Sequence, residues 1–128
     1  MTARPWIAGL VAAAVVAVAV LGLTGVGTAR TTTPEVVKVC DDYFTPTDVK
    51  VRKRGKVRWK WGCGFSRHNV TLRRAPRGVK KSRFRSPTRS SPAYRFTKRF
   101  RKPGKYHFVC TIHESLGMRM NVVVRRHR

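Results

Sequence analysis

Acidic residues are nearly missing from this chain. Only 5 Asp and Glu stand against 29 Lys and Arg, for a formal net charge of +24. Such a surface repels itself and attracts anything anionic, and it says nothing about fold. Length is limited too: 128 residues allow one domain and exclude a second domain or a large buried cavity. Past the first apolar segment there is no helical period, which excludes an α fold, and no internal repeat. Cysteine is scarce, with only Cys40, Cys63 and Cys110. An odd count in an exported chain leaves one thiol without a covalent partner.

What is present begins with an uncharged run from Trp6 to Val26, WIAGLVAAAVVAVAVLGLTGV. Residues 1–29 therefore read as a signal peptide or an N-terminal membrane anchor, formed as one hydrophobic helix. The length of the run favours the anchor, while Gly27, Thr28 and Ala29 offer small residues for cleavage after Ala29. Either way the rest of the chain is expected outside the cytoplasm. Residues 30–35 form a short linker.

From there the pattern is that of short strands. Val36, Val37 and Val39 lead into Cys40, and residues 41–46 read as a turn-rich connection. Val49 and Val51 alternate with Lys50. Val57, Trp59 and Trp61 alternate with charged residues, which places all three on one buried face. Gly62 and Gly64 are expected to end that strand. Further strands are expected at 69–72, 94–100, 106–110 and 120–124, with a basic tail at 125–128. Arg73 to Lys102 holds thirteen basic residues and no acidic one. Most of it, residues 73–93, is expected to be a long solvated loop. Short strands spaced by turns argue for an all-β sandwich.

The residues that carry chemistry cluster near the C-terminus. Cys110, His113 and Met118 lie within nine residues, and a second imidazole, His68, stands upstream at the start of a strand. One thiolate and two imidazoles with a weak thioether contact suit a type 1 copper, because soft and harder donors together serve both oxidation states. Met120 is a rival to Met118, but it opens the last strand and reads as packing. His107 points to the opposite side of its strand from Phe108 and Cys110 and is not expected to bind metal. His127 lies in the basic tail.

The segment Gly104–Met118, read as GKYHFVCTIHESLGM, resembles the C-terminal signature of the cupredoxins, and of plastocyanin and pseudoazurin in particular. His68-Asn69-Val70 is similar to that family's upstream ligand motif. Phe44 and Pro46, Gly55, Trp59 and Trp61 also fall where the family has such residues, so the resemblance covers roughly Val36 to Val124. It implies a cupredoxin-like Greek-key β-sandwich over residues 36–124. It further implies one type 1 copper per chain on His68, Cys110, His113 and Met118, with single-electron transfer and no catalysis of a substrate reaction. It implies that Asn69 hydrogen-bonds across to Thr111 beside the ligand cysteine, and that His113 lies near the surface. In this fold the strands ending in Cys40 and Cys63 are parallel neighbours, so the resemblance implies a possible disulfide. Two separate buried thiols are the alternative. The basic insert and overall charge depart from the family.

Other readings remain. The same ligands would serve a copper chaperone or buffer. Cys63, His68, Cys110 and His113 form a Cys2His2 set for structural zinc if Cys63 is free. A basic binding module without a working metal site is a third. The charge suits a redox partner with an acidic surface, an anionic membrane or a cell-envelope polymer. Nucleic acid is not expected as a partner, because an exported protein rarely meets it.

Overall fold

The computed structural model describes residues 32–126. The expected N-terminal helix, the end of the basic tail and His127 lie outside the described residues. No helix among the described residues is long and apolar enough to cross a membrane.

Eight strands are described: β1 (Glu35–Cys40), β2 (Tyr43–Thr45), β3 (Asp48–Arg52), β4 (Lys56–Cys63), β5 (Thr71–Arg74), β6 (Arg95–Arg99), β7 (Gly104–Val109) and β8 (Arg119–Arg125). They form two sheets of four, ordered β2-β1-β4-β6 and β3-β8-β7-β5. β1 runs parallel to β4, and β3 runs parallel to β8. The other pairings are antiparallel.

Alternation along each strand builds the core. Val57, Trp59 and Trp61 face inward from β4, as their spacing predicts. Val37 and Val39 join them from β1, and Phe96 from β6. Tyr106 and Phe108 face them from β7, with Met120, Val122 and Val124 from β8. Trp59 links the two layers: its ring lies 5.6 Å from Phe96 and 5.0 Å from Phe108. Its indole N–H donates to the Met120 sulfur at 3.1 Å.

Three local expectations are corrected. The connection at 41–46 contains strand β2, whose Phe44 is buried against β1 and so rewards pairing. β4 does not stop before Gly62 but continues to Cys63, where the Cys40 pairing extends the ladder. The basic segment 73–93 is folded onto the sandwich rather than left as a solvated loop. It opens as part of β5 and forms a 3-10 turn at Lys81–Phe84. The Phe84 ring packs 5.3 Å from Phe100 and 5.8 Å from Tyr106. The hydroxyl of buried Ser86 accepts from the Val70 N–H at 2.8 Å. Apolar anchors among the charges hold the segment down, while its basic side chains stay in water.

Candidate metal centre

Both sheets send a strand toward one end of the sandwich, and the loops there meet. Cys110 directly follows β7 and is buried. The loop after it closes on itself. The Cys110 N–H donates to the Met118 carbonyl at 3.1 Å, and the Met118 N–H donates to the His113 carbonyl at 3.2 Å. A 3-10 turn at Glu114–Leu116 fills the loop, and Gly117, at φ 85°, supplies the left-handed residue that turns the chain into β8. Arg73 of β5 clamps the loop through Glu114, with Nη2 to Oε2 at 2.5 Å. Arg73 in turn holds the Glu114 carboxyl below its ordinary range.

His68 is held by its own backbone. Its N–H donates to the Arg89 carbonyl and the Arg89 N–H donates to its carbonyl, both at 2.9 Å. The basic insert thus supplies the short bridge that fixes His68. The result is a compact donor set. Nδ1 of His113 lies 3.6 Å from the Cys110 sulfur, Nδ1 of His68 lies 3.9 Å from it, and the two nitrogens are 3.1 Å apart. Two nitrogens at about 2.0 Å from one ion, at an angle of about 100°, are separated by about 3.1 Å. The donors therefore fit a single ion. Met118 is fully buried on the same loop. The Met120 sulfur is engaged by Trp59 in the core instead.

The outer ring nitrogens face carboxylates. Nε2 of His68 donates to Oδ1 of Asp41 at 3.0 Å, and Asp41 also accepts from the backbone N–H groups of Phe65 and Ser66. The His68 bond first, then the Ser66 and Phe65 amides, hold the Asp41 carboxyl well below the usual carboxylate range. A carboxylate that accepts from Nε2 keeps the proton there and leaves the Nδ1 lone pair facing the site. Nε2 of His113 lies 3.7 Å from Oδ1 of Asp42. Two imidazole nitrogens 3.1 Å apart beside a buried thiol are the surroundings a cation relieves.

Asn69 uses both ends of its amide. Its Oδ1 accepts from the Thr111 N–H at 3.0 Å and from the Thr71 hydroxyl at 3.0 Å. Its Nδ2 donates to the Thr111 hydroxyl at 2.8 Å and to Thr88 at 3.3 Å. Thr111, the residue after Cys110, is thereby tied to Asn69, the residue after His68. His107 bonds Asn121 at 3.0 Å, away from the cluster. Among the described residues, His68, Cys110 and His113 are the one group of three or more His, Cys, Asp or Glu side chains close enough to share an ion.

Cys40 and Cys63 form a disulfide, which removes Cys63 from any Cys2His2 zinc set. Sequence reasoning passed over Asp41, Asp42, Thr88 and Arg89. The signal for Asp41 was available: it follows Cys40, and the disulfide carries it to the loop before His68. Gly64 leaves it room, since a Cβ there would overlap the Asp41 carboxylate.

A two-sheet sandwich with one thiol and two imidazoles at one end defines a single-site copper-binding protein. Residues 36–125 match the copper binding proteins of the plastocyanin/azurin family, and the chain belongs to that family. Three solved structures are similar in fold. Plastocyanin from Dryopteris crassirhizoma is 24% identical with a TM-score of 0.60, over 70% of this chain and 99% of that one. A purple cupredoxin from Nitrosopumilus maritimus is 18% identical with a TM-score of 0.58, over 70% of this chain and 98% of that one. A copper-containing nitrite reductase from Thermus scotoductus is 21% identical with a TM-score of 0.63, over 75% of this chain. The match spans only 23% of that enzyme's length. No curated protein matches the chain.

Proposed function

We propose that this protein carries single electrons between redox partners outside the cytoplasm, on a type 1 copper held by His68, Cys110, His113 and Met118. The observation that carries the reading is the convergence of the Cys110 sulfur and two Nδ1 atoms within 3.9 Å of one another. When bound, the copper supplies reversible one-electron exchange. The chain's own residues keep the donors still. Asp41 orients His68, Asn69 locks Thr111, and the hydrogen-bonded loop fixes Cys110 against Met118. Donors that need not move between oxidation states make exchange fast. His68 is 1% exposed and His113 16%, so His113 is the ring that reaches the surface, beside exposed Ile112 and Leu116. That edge is the proposed exit for the electron.

The location outside the cytoplasm is supported by the apolar run before the domain and by the Cys40–Cys63 disulfide. The net charge supports a redox partner with an acidic surface, whose binding weakens with salt.

The test is the visible spectrum of the protein loaded with Cu(II). Intense thiolate charge-transfer colour is expected, and Cys110→Ser should abolish it. A colourless Cu(II) protein overturns the assignment. Coloured protein whose copper does not cycle reversibly in a redox titration is a copper buffer instead.

A further inference from the structure

The charge on this molecule is sorted by pole. Asp41, Asp42 and Glu114 stand at the metal end, against His68, His113 and Arg73. The opposite end is rich in bases, although Glu35 stands there as well. Two adjoining cavities of about 500 Å³ and about 310 Å³ share Arg99 and Arg101 in their walls. Lys80, Arg83, Lys98 and Lys102 complete the first, and Lys53 and Arg54 the second. No carboxylate lines either cavity. Among the described residues none of these basic groups is paired with an acid. Most of these bases come from the Arg73–Lys102 run, folded so that Lys80 and Arg83 meet Lys98, Arg99, Arg101 and Lys102, and Lys53 and Arg54 of the β3–β4 turn join them.

The pole is also where the chain enters the domain. Glu35, the first residue of β1, pairs with Val57, and Val57 pairs with Lys98. Lys56, beside it, pairs with Arg99. The apolar run ends at Val26, nine residues before Glu35. A connection of that length spans at most about 30 Å. If the run sits in a bilayer, the cationic pole cannot leave the surface by more than that. The metal loop begins beyond the far end of β7, about 20 Å from Gly104 at about 3.3 Å per residue.

We propose that the cationic pole is a docking face for an anionic lipid surface. Seated there, it holds the domain upright with His113 turned away from the bilayer, toward partners. The proposal rests on the membrane placement of the apolar run and not on the copper chemistry. An acidic redox partner fits this pole less well, because it would sit a strand length away from the exit at His113. Each basic residue near an anionic surface strengthens association by about fivefold at modest salt.

The test uses the full chain in lipid nanodiscs of phosphatidylcholine alone or mixed with phosphatidylglycerol. Brief amine acylation followed by peptide mass analysis reads each lysine. Labelling of Lys53, Lys80 and Lys102 should fall at least severalfold in the anionic discs and recover in high salt. Lys38 and Lys60 should stay unchanged in both. Arg99→Glu with Arg101→Glu should remove the protection while the copper colour is kept, which shows that the variant is folded. Equal labelling in the two lipids overturns the proposal. So does protection that appears only on adding an acidic protein, which would assign the pole to that partner. A chain that elutes free of both kinds of disc removes the membrane placement and the proposal with it. A colourless copper protein with the expected footprint overturns the electron-carrier reading alone.

Discussion

Two methionines two residues apart divide their work by the element they occupy, the loop before β8 for Met118 and β8 itself for Met120. Met118 ends the ligand loop, fully buried, with its backbone bonded to Cys110 and His113. Met120 sits one alternation into β8 and accepts the Trp59 indole N–H. Their substitutions should therefore separate. Met118→Leu is expected to shift the reduction potential while the colour persists, because the thiolate and both imidazoles remain. Met120→Leu leaves a buried indole N–H without an acceptor and should cost about 1–3 kcal/mol of stability. Its potential should stay that of the parent. Voltammetry beside denaturant unfolding distinguishes the two, and a potential that moves with Met120 but not Met118 would reverse the axial assignment.

At the scale of elements, the basic insert is a structural part of the site. It bridges His68 through Arg89, meets Asn69 through Thr88 and accepts the Trp61 indole N–H on the Arg89 carbonyl at 2.9 Å. Phe84 is its main apolar anchor, packed on Phe100, Tyr106 and Phe108. Phe84→Ala should cost about 2 kcal/mol, below the ~3–5 kcal/mol of a fully buried ring. It should also open the segment 77–93 to limited proteolysis. Unchanged cleavage would mean that the hydrogen bonds hold the insert without the ring.

For the molecule as a whole, a charge of +24 works against compactness. Among the Lys and Arg side chains of the described residues, only Arg73 is bridged to a carboxylate. The other Lys and Arg side chains there repel one another, and added salt screens that repulsion. Melting temperature is therefore expected to rise with ionic strength, by roughly 5 °C if screening returns about 1 kcal/mol to a domain of this size. A melting temperature that falls with salt would mean that attractive pairs outweigh the repulsion. The same imbalance is organised in space, with Asp41, Asp42 and Glu114 at the metal end and bases outnumbering Glu35 at the pole where the chain enters.

Sequence by itself determined the sandwich, because two-residue alternation at Val57, Trp59 and Trp61 or at Tyr106 and Phe108 leaves one face to bury. It also placed Cys110, His113 and Met118 together, because one short loop cannot hold them far apart. Tertiary structure decided what depends on long-range closure. The 3.1 Å approach of His68 to His113 requires both sheets to be packed. Asp41 reaches His68 because the parallel β1–β4 pairing, closed by the Cys40–Cys63 bond, brings two distant segments side by side. The insert read as loop because its charge hides three small anchors, Phe84, Ser86 and Arg89, whose partners lie on other strands. Local pattern records which face a residue prefers. It does not record which neighbour will be waiting there, and the metal centre and the cationic pole are both made of such neighbours.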